Sequence, residues 1–127
     1  MNSTVLDSSA ILAFLNREPG WERAEAALPD GIVSSLILAE VVTRLTLGGG
    51  KPWQVAATWD DLQLLVEPFD AARARAAGFL VDKTRPFGLS LADRACLSLA
   101  GELGLPTITA DRAWRNVQIG VEIVLIR

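Results

Sequence analysis

The sequence predicts an α/β fold: a three-layer α/β/α sandwich with a mainly parallel central sheet of four to five strands. Three observations support this. Short β-rich runs alternate with helical segments along the whole chain, the connections between them are brief and rich in Gly and Pro, and half of the residues are apolar. Alternation of this kind gives parallel strands with helical crossovers on both faces. An apolar half covers both faces of such a sheet and is too much for a disordered chain. The 127 residues suit one domain spanning residues 1–127. No internal repeat, low-complexity tract or linker divides it.

Thr4-Val5-Leu6-Asp7 is a β-rich run that ends on an acid. Ser8 to Asn16 follows as a helix with Ile11, Leu12, Phe14 and Leu15 apolar, and Pro19-Gly20 breaks it. Trp21 to Leu28 is a second short helix, stopped by Pro29-Asp30-Gly31. Ile32-Val33-Ser34 is the next strand, and Ser35 is placed to cap the helix from Leu36 to Leu47. Three glycines, 48–50, end that helix, and Pro52 suits the first turn of one running from about Trp53 to Leu62. Leu64 to Glu67 is a third strand, closed by Pro68, and the Ala- and Arg-rich stretch from Asp70 to about Asp82 is helical. Arg85-Pro86-Phe87-Gly88 is a loop, and Ser90 opens a helix that Gly104 terminates. Pro106 to Thr109 is a fourth strand, Arg112 to Asn116 a helical turn, and Val121 to Ile126 the last strand.

Composition removes several chemistries. The chain has no His and a single cysteine, Cys96. An intrachain disulfide is impossible, a Cys/His zinc site lacks its ligands, and Ser-His-Asp or Cys-His catalysis lacks its base. Cys96 lies in an apolar helical stretch and reads as a small buried hydrophobe. No run reaches the roughly 18 apolar residues of a membrane helix, and the N-terminus does not read as a signal peptide, so a cytoplasmic protein with no membrane association is expected. Enzymatic chemistry here must run on carboxylates, hydroxyls, Lys or Arg, with a hard metal ion.

Parallel α/β sheets place their functional crevice at the carboxyl ends of the strands. Four acids fall there. Asp7 ends the first strand, Glu40 lies about one turn into the helix after the second, Asp93 opens the helix leading to the fourth, and Asp111 lies two residues past that strand. Carboxylates crowded together repel one another unless a counter-charge joins them, and Mg²⁺ or Mn²⁺ prefers such oxygen ligands. Two such ions would turn the net charge from −3 to +1 and ease contact with phosphate. Each acid also has a local alternative. Asp7 and Asp111 suit helix caps, Ser90-Leu91-Ala92-Asp93 fits a capping box, and Glu40 has Arg44 four residues on as an ion-pair partner. The joint placement of all four favours one shared site.

Val5-Leu6-Asp7-Ser8-Ser9-Ala10 resembles the opening of PIN domains. Ser34 to Val41, Gly88 to Ala95 and Thr107 to Trp114 resemble that family's next three motifs, in order and over nearly the whole chain. The compact length is most similar to VapC-type toxins. The resemblance implies that Asp7, Glu40, Asp93 and Asp111 are catalytic and ligate Mg²⁺ or Mn²⁺, with Thr109 and Ser9 as supporting hydroxyls. It implies RNA cleavage by metal-activated water, a homodimer, and a cognate VapB-like antitoxin over the acidic site.

Arg94, Arg112 and Arg115 stand beside two of the acids as candidate RNA-phosphate contacts, or as ordinary solvated helix residues; Lys83 and Arg85 form a modest basic loop with the same two readings. Trp53 and Trp59 fit core packing or, as the sharper expectation for Trp59, an antitoxin groove built from the helices spanning Leu36 to Leu62. Rival functions fit less well. An aspartyl-phosphate phosphatase wants an acid where Ser9 stands, and a receiver module wants an acidic pair after the first strand and a Lys at the end of the fifth. A catalytically silent PIN or receiver-like module acting through protein binding is the remaining alternative.

Overall fold

The computed structural model describes residues 3–127. Five short strands, β1 (Val5–Leu6), β2 (Ile32–Ser34), β3 (Leu65–Glu67), β4 (Thr107–Thr109) and β5 (Ile123–Leu125), form one parallel sheet in the order β3-β2-β1-β4-β5. Val5 pairs with Ile32 on one side and Thr107 on the other, so β1 lies at the centre. The chain runs outward from β1 to β3, then crosses back to β4 beside β1. Successive strand residues point to opposite faces, yet both residues of β1 and all three of β4 are buried. Helices therefore cover both faces, the three-layer arrangement the sequence predicts.

The helices are α1 (Ser8–Asn16), α2 (Trp21–Ala27), α3 (Ser35–Leu47), α4 (Pro52–Leu62), α5 (Ala71–Phe79), α6 (Val81–Thr84) and α7 (Leu91–Leu103), with 3₁₀ turns at Arg85–Phe87 and Arg112–Asn116. Three local expectations change. The cap of α3 is Ser34, whose hydroxyl accepts from the Leu36 amide at 3.2 Å; Ser35 instead accepts from the Phe69 amide at 2.8 Å and ties α3 to the loop after β3. The single helix expected from Asp70 to Asp82 divides into α5 and α6, after Asp70 caps α5 by accepting from the Arg73 amide at 2.9 Å. The outer strands β3 and β5 are shorter than their apolar runs, each pairing through three residues with its single neighbour.

Val5, Leu6, Ile11, Val33, Ile37, Val41, Leu97 and Trp114 are fully buried in one continuous core. Trp59 belongs to it at 9% exposure, the core-packing alternative of its two readings rather than the interface groove; Trp53 is the exposed one, at 70%. Helices α5 and α7 are fastened antiparallel at both ends. Arg73 donates a bidentate pair to Glu102 (Nε to Oε1 3.1 Å, Nη2 to Oε2 2.9 Å) and also reaches Glu67 at 3.0 Å. At the other end Arg94 donates to the carbonyls of Ala77 at 3.0 Å and Gly78 at 3.4 Å. No helix among the described residues is long and apolar enough to cross a membrane.

Candidate active site

Strand order places the reversal of chain direction between β1 and β4, where a parallel sheet opens a crevice beyond its carboxyl ends. Asp7 leaves β1 there, and Asp111 leaves β4 two residues past Thr109. Glu40 comes from the second turn of α3, and Asp93 from the first turn of α7. Helix α3 packs against both α1 and α7, which carries these acids toward the same end of the sheet.

Asp7 is the centre of the arrangement. It is 2% exposed, and although it occupies the cap position of α1 its carboxylate makes no capping bond. Oδ2 instead accepts from the hydroxyls of Ser9 at 2.6 Å and Thr109 at 2.8 Å. Those hydroxyls are themselves held: Ser9 Oγ accepts from the Ala110 amide at 2.9 Å, and Thr109 Oγ1 from the Asp111 amide at 3.0 Å. Each hydroxyl carries one proton, and both protons go to the same carboxylate oxygen. The other oxygen, Oδ1, is buried without a hydrogen-bond partner. Burial raises the Asp7 carboxyl from 3.8 to about 6, against the lowering effect of the Ser9 and Thr109 bonds, and the charges of Asp93 and Glu40 add to the rise.

The remaining acids are partly engaged locally. Asp93 closes the expected capping box: its Oδ2 accepts from the Ser90 amide at 2.9 Å, and its own amide donates to Ser90 Oγ at 3.1 Å. Its carboxyl is nonetheless raised, by burial first, against the Ser90 bonds, with repulsion from Asp111 and Glu40 behind. Asp111 Oδ1 accepts from the Ala113 amide at 2.9 Å and caps the 3₁₀ turn. Glu40 forms no ion pair with Arg44 among the described residues; it accepts a hydrogen bond from Ser8 Oγ, a partner the sequence reading did not single out. The only signal for Ser8 is a hydroxyl directly after Asp7, and its partner lies 32 residues away on another helix.

Among the described residues no three acid side chains, as they stand, are close enough to ligate one ion jointly. Their charges still reach one another, through the Asp7–Asp93, Asp7–Glu40, Asp93–Glu40 and Asp93–Asp111 repulsions. A buried carboxylate with one orphaned oxygen, facing like charges and only oxygen donors, fits a hard divalent cation. Cys96 does not compete, because burial pushes its fully buried thiol well up. A cleft of about 390 Å³, lined by Leu36, Ala39, Glu40, Thr43, Arg44, Leu47 and Ala92, opens beside Glu40 between α3 and α7.

The candidate phosphate contacts separate. The Arg94 guanidinium is committed to the C-terminal carbonyls of α5 and serves packing, so its expected role at RNA loses its geometric basis. Arg112 and Arg115 are exposed, and Arg112 makes one long bond, 3.4 Å, to the Arg127 carbonyl. In the basic loop, Arg85 pairs with Asp82 at 3.7 Å, while Lys83 is exposed.

A parallel α/β domain with carboxylates gathered at its topological switch point defines the class of molecule. The sequence profile of the PIN domain matches residues 4–120, and the chain belongs to that family. No curated protein sequence matches it. Among solved structures it is similar to a toxin–antitoxin complex from Klebsiella pneumoniae (TM-score 0.76, 19% identity, covering 98% of each chain). It is also similar to DNA-bound VapBC from Salmonella typhimurium (TM-score 0.75, 20% identity, 100% of each chain). A third is VapC20 from Mycobacterium tuberculosis, a Sarcin-Ricin loop cleaving toxin (TM-score 0.71, 18% identity, 94% of this chain and 99% of that one).

Proposed function

We propose that this PIN domain is a metal-dependent endoribonuclease and the toxin component of a VapBC-type toxin–antitoxin pair. The observation that carries the proposal is Asp7: a carboxylate removed from water, held by two hydroxyls on one oxygen and unpartnered on the other, with Glu40 and Asp93 adding like charge. Desolvating such a group is costly without a cation, so the arrangement favours binding one. Asp7, Glu40, Asp93 and Asp111 would hold Mg²⁺ or Mn²⁺. When bound, the ion supplies positive charge that activates water and offsets charge developing on a phosphodiester.

The chain's own residues provide the rest. Ser9 and Thr109 fix the Asp7 carboxylate, the capping box holds Asp93, and the 3₁₀ turn holds Asp111; loading an ion would draw these acids closer together than they stand. Arg112 and Arg115, exposed on the turn after Asp111, are positioned to meet backbone phosphates. The similarity to toxin–antitoxin assemblies from two bacteria supports a VapB-like antitoxin as partner; a homodimer, which the motif resemblance implies, working in the cytoplasm completes the proposal.

Purified protein incubated with a mixed RNA substrate tests the proposal. Cleavage is expected with Mg²⁺ or Mn²⁺ and not in EDTA. Asp7→Asn and Asp93→Asn each should lower the rate by at least about a hundredfold while leaving the circular dichroism spectrum unchanged. Metal-independent cleavage, or full activity in Asp7→Asn, would refute it. A folded protein that binds partners and never cleaves RNA would favour the silent module instead.

A further inference from the structure

We propose that Ser8 is a positioning residue for Glu40, and that its hydroxyl sets the affinity of the acidic site for a divalent cation. The inference rests on the metal-binding reading above and goes beyond it, because Ser8 is neither an acid nor one of the hydroxyls on Asp7.

Ser8 is the first residue of α1 and is 8% exposed. Adjacent helical residues point about 100° apart. The two serines that follow Asp7 therefore serve different acids: Ser9 donates to Asp7 Oδ2, and Ser8 donates to Glu40 Oε1 on α3. A serine hydroxyl has a single proton, and Ser8 spends it on Glu40. Glu40 has no salt bridge among the described residues, so this bond is what fixes its carboxylate. A glutamate on a helix face has several rotatable bonds, and immobilising it costs entropy each time a ligand binds unless the side chain is already held. With Oε1 engaged by Ser8 and Asp7 Oδ2 engaged by Ser9 and Thr109, each acid keeps one oxygen for a cation. Ser8 also joins α1 to α3 next to the switch point, so the orientation it imposes is relative to Asp7, its sequence neighbour.

Calorimetric titration of Mn²⁺ into EDTA-stripped, dialysed protein, with electron paramagnetic resonance of free Mn²⁺ as a second readout, tests this. Ser8→Ala should weaken Mn²⁺ binding by about tenfold or more, the scale of losing an outer-shell partner. In a Glu40→Ala background the same substitution should change affinity by less than about twofold, since the partner is gone. Ser8→Thr should bind within about threefold of the parent and Ser8→Val should not; this isosteric pair differs only in the hydroxyl and decides the matter if Ser8→Ala misfolds. Unchanged affinity in Ser8→Ala or Ser8→Val, or an equal loss in the Glu40→Ala background, overturns the role of Ser8. Parent protein that binds Mn²⁺ and loses it in Asp7→Asn, while Ser8→Ala binds normally, removes Ser8 alone. Parent protein that binds no Mn²⁺ removes the metal reading with it.

Discussion

Asp7 stores an electrostatic cost that a solution experiment can read. Its carboxyl is raised from 3.8 to about 6, so the native state holds that proton more tightly than the unfolded chain. The penalty is fully present above pH 6 and is relieved as pH falls toward 4. Two units correspond to about 3 kcal/mol. In EDTA, urea denaturation should therefore show the protein gaining stability between pH 7 and pH 5, and Asp7→Asn should flatten most of that slope. Asp93 is raised and acts in the same direction, whereas Glu102 is held low by its hydrogen bonds to Arg73 and loses its contribution only below the ordinary carboxylate range. A parent curve that is flat over this window, or that keeps its slope in Asp7→Asn, contradicts the account. The sequence shows the candidate acids, because Asp7, Asp93 and Asp111 stand at a strand end or helix start and Glu40 is an acid among apolar helix neighbours. It does not show Ser8 holding Glu40, because 32 residues separate them and no local rule links the two.

Capping boxes, glycine stops and apolar periodicity read well at the level of elements, since each depends on residues within a few positions. Ser90 and Asp93 act as their spacing suggests. The α5–α7 clamp has no such signal: Arg73 joins Glu67 and Glu102 from opposite sides in sequence, and Arg94 looks like a candidate RNA contact until its carbonyl partners appear. Trp53 and Trp59 share two open readings in the sequence, because helical spacing cannot distinguish a core aromatic from an interface one; burial puts Trp59 in the core. The clamp predicts a specific asymmetry. Arg73 keeps 20% side-chain exposure, so its ion pairs are partly screened, and a planar fork matters more than charge. Arg73→Lys should cost about 1 kcal/mol in chemical denaturation despite conserving charge, through loss of the bidentate bonds to Glu102. A Lys variant as stable as the parent would show that the fork geometry contributes nothing.

For the whole molecule, the α/β class and the parallel sheet were legible because strand and helix periods alternate cleanly. Strand order was not, since nothing in a strand of two or three residues states its neighbour. Order decides the site: β1 sits between β2 and β4, so the segments bearing Asp7 and Asp111 become adjacent although 104 positions separate them. Glu40 and Asp93 arrive from helices packed over the same end.

The central place of β1 bears on how the proposed ion binding would be lost. Contributions spread from near one terminus to near the other cannot survive in a fragment or a half-open intermediate, so competence is a property of the completed tertiary structure. Titrating urea while following Mn²⁺ uptake and intrinsic tryptophan fluorescence should give coincident midpoints. Ion uptake vanishing well before the fluorescence change would reveal instead a locally fraying pocket on an otherwise intact scaffold.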